Sequence, residues 1–147
     1  MTRRILTLAL DTPLDTEFDY RWIGADATVP LPEVGQFALV PFGRREVMGL
    51  IIAVKDDSEV DDDKLRDVIA VRSQLAPVLP EWIALCRFAA DYYQRPLGEV
   101  ALPCVPKNLR TDNTTSLERA LKKLAAPAEA TAAPVARPEL NPEQRAA

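Results

Sequence analysis

The stretch Gln36–Lys55, Q-F-A-L-V-P-F-G-R-R-E-V-M-G-L-I-I-A-V-K, decides the fold. Gln36 to Phe42 is apolar and strand-like. Glu46 to Lys55 resumes the pattern, with Val47, Gly49 and Ile51 on one side and Met48, Leu50 and Ile52 on the other. Only Gly43-Arg44-Arg45 lies between them, a tight polar link. Two runs joined so closely predict an antiparallel hairpin, and Gly43 supplies the positive φ that such a turn demands.

Working outward, Arg3 to Leu10 is leucine-rich and ends at Asp11-Thr12-Pro13, a turn signal. Glu17 to Trp22 alternates, placing Phe18, Tyr20 and Trp22 on one side and Asp19 and Arg21 on the other. Past the hairpin, Asp56 to Asp63 is an acidic exposed loop, and Arg66 to Arg72 is a further strand built on Val68, Ile69 and Val71. These runs predict a mainly β domain with C-terminal helices (α+β). Its core is a small five-stranded antiparallel barrel or sandwich, OB-like.

The period then changes. Pro80 suits a first helical turn, and Trp82, Leu85, Phe88, Ala89 and Tyr92 follow at helical spacing. Of Tyr92 and Tyr93, one ring is expected in the core. Pro96 and Gly98 end that helix, and Val100 to Val105 is a second apolar piece. Thr114 to Leu124 predicts another helix, with Thr115 or Ser116 as N-cap and Leu117, Leu121 and Leu124 as a thin apolar stripe. Residues 126–138 are rich in alanine and proline and read as a linker. Residues 139–147 look like the start of a new element.

Composition narrows the function. The 147 residues carry a net charge of −4 and no histidine, so the commonest general base and the commonest metal ligand are both missing. An acidic chain does not bind nucleic acid through bulk charge, so any such contact must be local and shaped. Cys86 and Cys104 have no CxxC spacing and cannot assemble the four ligands of a zinc site; Cys86 reads as a buried small hydrophobe. The run after Arg3-Arg4 is short and meets Asp11, so it reads as a strand rather than a signal peptide, and no run approaches the ~20 apolar residues that span a membrane. Phosphate-loop and dinucleotide motifs are absent. Asp61-Asp62-Asp63 lacks the spacing of a calcium loop and reads as a solvated turn. Nothing argues for catalysis in this chain, and a cytoplasmic location is expected.

The segments Glu17–Tyr20 and Val40–Gly43 carry the candidate site. Side by side they would make a small pocket with flat apolar walls and one acidic acceptor, suited to the end of a nucleic-acid strand. Aromatic residues in strands are more often core. Asp19 points away from Phe18 and Tyr20 in an ideal strand, so it lies either on the solvent face or turned into a pocket at the strand end. Gly43 would let backbone approach a sugar closely, and Arg44 and Arg45 are exposed turn charges able to meet phosphate.

The order E-F-D-Y, then G-Q-F-A-L-V-P-F-G-R, then M-G-L-I-I-A-V, then F-A-A-D-Y-Y-Q-R-P-L-G-E-V resembles the N-terminal domain of the primosomal protein N′ family. These are the PriA-type replication restart helicases of bacteria. The resemblance covers roughly residues 3–110 in the same order, and L-N-P-E-Q-R-A-A is similar to the opening of the family's helicase core. It implies residues 1–110 as a domain that captures the 3′-hydroxyl end of a nascent leading strand at a stalled fork. It further implies residues 111–125 as a helix that stands where the family has a winged-helix domain, residues 126–138 as a linker, and residues 139–147 as the truncated start of the helicase.

The implied DNA-end site is Phe18, Asp19, Tyr20, Gly43 and Arg66, the last an arginine where the best-known members have lysine. The implied partners are single-stranded or forked DNA with a 3′-OH end, other primosome proteins and single-stranded DNA-binding protein. No cofactor is expected in this chain. ATP, Mg and Zn belong by resemblance to the parent, an ATP-dependent 3′-5′ DNA helicase. The competing expectation is a protein-interaction or structural module without DNA-end specificity.

Overall fold

A computed structural model describes residues 2–24, 29–110 and 113–125. Strands β1 (Thr2–Leu10), β2 (Phe18–Gly24), β3 (Phe37–Phe42), β4 (Arg45–Lys55) and β5 (Ala70–Val71) form one sheet in the order β2-β1-β4-β3-β5. Every pairing between these strands is antiparallel. Helices α1 (Pro80–Tyr93), α2 (Leu97–Ala101) and α3 (Thr114–Ala125) follow. The predicted hairpin is β3–β4. Phe42 pairs with Arg45, so the turn is only Gly43-Arg44, and Gly43 takes φ 61° at the first turn position. That is where a II′ turn reserves a place for glycine.

Central β1 is buried on both faces, with Ile5, Leu6 and Leu8 inaccessible to solvent. One face of the sheet curls around Leu6, Leu8, Tyr20, Trp22, Val40 and Ile51. Each aliphatic side chain fully buried there contributes about 1.5–3 kcal/mol. The register of β1 against β4 shifts between Thr7 and Leu8, so Ile52 is an extra residue and the strands bend at that bulge. Bend and twist together make the sheet a half-barrel, the mainly β, OB-like architecture that the sequence predicts.

The expected strand at Arg66–Arg72 is shorter than its apolar residues suggest. Arg21 exchanges backbone hydrogen bonds with Arg66 and Val68 on the β2 edge, while Ile69 and Arg72 donate to Leu39 and Phe37 on the β3 edge. A segment that crosses from one edge to the other cannot ladder with either for long, and only Ala70–Val71 qualifies as strand. The crossing closes the open side of the half-barrel.

The other face of the sheet packs against the helices through Phe37, Leu50, Ile83, Cys86, Leu102 and Leu117. Here two expectations fail. The buried stripe of α1 is Ile83, Cys86 and Ala90, whereas Leu85, Phe88, Tyr92 and Tyr93 are exposed. Both stripes have helical spacing, and the small Cys86 and Ala90 are the ones that let α1 lie close. The helix stops at Gln94, which adopts φ 53°, not at Pro96 and Gly98. Gly98 lies inside α2, against the backbone of Leu10, where a Cβ would come within 1.8 Å of the Leu10 carbonyl oxygen.

Helix α3 covers the predicted span, but its cap is Asn113, whose Oδ1 accepts from the Ser116 N–H at 3.1 Å. Leu117 is fully buried, Leu121 packs partly, and Leu124 is exposed. Both cysteines are free thiols. Among the described residues no helix is long and apolar enough to cross a membrane. The expected linker 126–138 and the helicase-like 139–147 lie outside the described residues.

Candidate nucleic-acid interface

The alternation of β2 separates the predicted site into two parts. Phe18 and Tyr20 point into the half-barrel. The Phe18 ring meets Phe42 edge-to-face, with centroids 5.3 Å apart and planes at 78°. Tyr20 is buried, and its hydroxyl donates to the Pro41 carbonyl at 3.1 Å. Burial pushes the Tyr20 phenol upward in pKa, a shift that the nearby Arg66 charge partly opposes. Arg66 itself donates from Nη1 to the Gly43 carbonyl at 3.3 Å.

Four of the five predicted residues, Phe18, Tyr20, Gly43 and Arg66, are thus linked around one mouth of the half-barrel. These residues belong to the start of β2, the β3–β4 turn and the crossing segment. Phe42, which the sequence places in the V-P-F-G run, completes the ring pair. A Cβ at Gly43 would meet nothing within 4 Å, so that turn faces open space. Arg44 and Arg45 are exposed beside it. The guanidinium of Arg66 has five N–H donors. Only part of that fork is spent on Gly43.

The Asp19 side chain is not in this mouth. It projects from the opposite face of β2, and the pocket of rings plus carboxylate that the sequence suggests does not form. Thr7 Oγ1 donates to Asp19 Oδ1 at 2.6 Å, Ser58 Oγ donates to Oδ2 at 2.6 Å, and Lys55 Nζ stands 3.5 Å from Oδ1. Burial alone would raise the Asp19 pKa. The Ser58 and Thr7 hydroxyls and the Lys55 charge outweigh it and hold the carboxyl below its ordinary value of 3.8. Asp19 is therefore an ionised, well-anchored group.

Its main chain is placed differently. Arg21 turns its N–H and C=O away from β1 toward the crossing segment. Asp19, two residues earlier and in the same phase, turns its own N–H and C=O to that edge, beside the mouth.

The carboxylate lines a cleft of about 940 Å³ between β1, the acidic loop and α1–α2. Asp15, Glu17, Asp57, Glu59 and Asp91 join Asp19 there, against Lys55, Arg87 and Arg95. Such a surplus of acids disfavours a phosphodiester chain, and the cations of the mouth favour one. Thr7, Lys55 and Ser58 gave no sequence signal: they surround Asp19 only because of strand register and the path of the acidic loop. The Asp61-Asp62-Asp63 turn is tied down by Lys64 to Asp61 at 2.5 Å and by Arg3 to Asp62. Among the described residues no group of three or more His, Cys, Asp or Glu side chains is arranged to hold a metal ion.

Comparison with known proteins bears on this interface. The family model of the 3′DNA-binding domain (3′BD) of PriA matches residues 7–106. Replication restart protein PriA of Haemophilus influenzae is 30% identical over 110 residues, covering 73% of this chain and 14% of that protein. Replication restart protein PriA of Treponema pallidum is 32% identical over 115 residues, covering 76% of this chain and 17% of that protein. The chain spans less than a fifth of the length of these relatives.

Proposed function

Because this chain belongs to the 3′DNA-binding domain family of PriA, we propose that it binds DNA and holds the 3′-terminal nucleotide of a strand in the mouth beside β2. The physiological target on this reading is the 3′-hydroxyl end of a nascent leading strand at a stalled fork. The chain then acts as the DNA-end module of a replication restart helicase.

The supporting observation is the convergence of Phe18, Phe42, Gly43 and Arg66 on one open rim. Phe18 and Phe42 offer an apolar wall to any nucleobase, since every base has a π-face, and such contact is worth about 1–3 kcal/mol. Arg66 takes the phosphate that precedes the terminal sugar. Its planar fork grips two oxygens, where a lysine would act as a point charge. The Asp19 N–H and C=O at the strand edge pair with the terminal sugar or base. The crossing segment Arg66–Arg72 blocks the strand from running on, so an end enters and an internal nucleotide does not.

The test is the binding of a 5′-labelled single strand to the parent chain and to Phe18→Ala and Arg66→Ala. Each variant should weaken binding by at least about fivefold. Parental affinity in both would remove the mouth from consideration.

A further inference from the structure

Arg21 ties the crossing segment to β2 from outside the half-barrel. It lies between Tyr20 and Trp22, whose rings are buried in the inner cluster, so strict alternation sends its side chain to the outer face. There Nε donates to Asp67 Oδ1 at 2.6 Å and Nη1 to the Asp62 carbonyl at 3.4 Å. The main chains of Arg21 and Asp67 form a parallel bridge. The Arg21 N–H donates to the Arg66 carbonyl at 2.9 Å, and the Val68 N–H donates to the Arg21 carbonyl at 2.8 Å. One residue of β2 thus holds Arg66, Asp67 and Val68 by backbone and side chain together.

The same alternation runs through the crossing segment. Val68 packs against the inner cluster and Arg66 reaches the Gly43 carbonyl at the mouth, whereas Asp67 between them turns outward to Arg21. The side chains of Arg21 and Asp67 therefore stay clear of a ligand in the mouth. What they fix is the stretch of main chain from which the Arg66 side chain extends. Arg66 precedes the short strand β5 and lies outside the named strands, so this bridge stands in for a ladder.

We propose that Arg21 and Asp67 are positioning residues for DNA-end binding, a clamp that acts through Arg66. A long arginine side chain delivers its fork to one place only when its Cα is held, and a group held in place before binding loses less entropy on binding. This rests on the end-binding reading above and adds to it two residues that touch no DNA. The clamp makes a prediction opposite in sign to bulk electrostatics. Asp67 is an exposed acid next to Arg66, so on charge alone its removal strengthens the binding of a polyanion. On the clamp reading its removal weakens binding.

The experiment measures binding of a 5′-labelled ten-nucleotide single strand ending in 3′-hydroxyl to the 147-residue chain, at one salt concentration. The variants are Asp67→Ala, Asp67→Asn, Arg66→Ala, and Arg66→Ala combined with Asp67→Ala. The Arg21–Asp67 pair is open to solvent, so thermal unfolding of the Asp67 variants should stay close to that of the parent. Asp67→Ala should bind about threefold more weakly, the scale of one surface ion pair. Asp67→Asn loses the same charge but keeps an oxygen acceptor for the Arg21 Nε–H, and should recover most of that loss. In the Arg66→Ala background, Asp67→Ala should cause no further loss, because the side chain that the clamp positions is gone. A residue that merely supported the fold would weaken both backgrounds equally.

Parental or tighter binding by Asp67→Ala overturns the clamp. So does a loss as large in Asp67→Asn, or a full further loss on top of Arg66→Ala. Parental binding by Arg66→Ala alone would instead strike the end-binding reading on which the clamp rests.

Discussion

The Asp19 carboxylate accepts a 2.6 Å hydrogen bond from the hydroxyl of Ser58, thirty-nine positions away in the acidic loop. With the Thr7 hydroxyl it pins that loop to the face of the sheet opposite the aromatic mouth. The Asp19 carboxylate is thus a structural anchor.

This anchor predicts an acid-sensitive contribution to stability. Asp19 titrates near 3.8 in the unfolded chain and lower when folded. The stabilisation is complete above the unfolded value and vanishes as pH falls through the folded one. Urea midpoints of the parent and Asp19→Asn should therefore differ at about pH 6 and converge as the pH falls through the folded-state value, below 3.8. A gap independent of pH would show that the carboxylate's charge is not what anchors the loop.

Gly98 offers a test of the packing of α2 on β1. Alanine there places a methyl 1.8 Å from the Leu10 carbonyl oxygen, which is backbone and cannot rotate away. Gly98→Ala should cost about 3 kcal/mol, the upper end of what overpacking typically costs, by urea denaturation. A neutral change would mean that α2 lies further from β1.

Helix α3 is joined to the domain by Leu117, which is fully buried against the same core as Phe37 and Leu50. Leu117→Ala should cost about 2–5 kcal/mol, whereas Leu124→Ala at an exposed position should change stability by less than about 0.5 kcal/mol. Equal small effects would mean that α3 does not pack on the domain.

Salt dependence distinguishes a local mouth from an extended basic groove. The chain carries a net charge of −4, and Arg66 with the neighbouring turn arginines can meet only one or two phosphates. The slope of log K against log salt for a short single strand should be roughly −0.7 to −1.4. A slope several times steeper would require cations elsewhere.

The sequence was most informative where a short-range rule sufficed. The β3–β4 hairpin follows from two alternating runs and a glycine at the turn, and the facing of Phe18, Tyr20 and Trp22 follows from the period of two. It was least informative where a choice depended on a distant partner. Periodicity alone could not tell the Ile83–Cys86–Ala90 stripe from the Phe88–Tyr92 stripe, because both repeat every three to four residues. The Arg66–Arg72 run has strand composition, yet its path between two edges limits it to a two-residue strand. At the site, Arg66 donates to the Gly43 carbonyl across the turn, a contact between residues twenty-three positions apart. The carboxylate of Asp19 lies elsewhere because strict alternation sends it to the far face, and its hydroxyl partners Thr7 and Ser58 follow no sequence pattern.

The most direct test of end recognition is a fluorescence anisotropy titration of the chain with one short single strand in two forms, ending in 3′-hydroxyl or in 3′-phosphate. The account predicts that the hydroxyl form binds at least about tenfold more tightly, since the capping phosphate brings bulk against the crossing segment. Equal affinity for the two ends would contradict it.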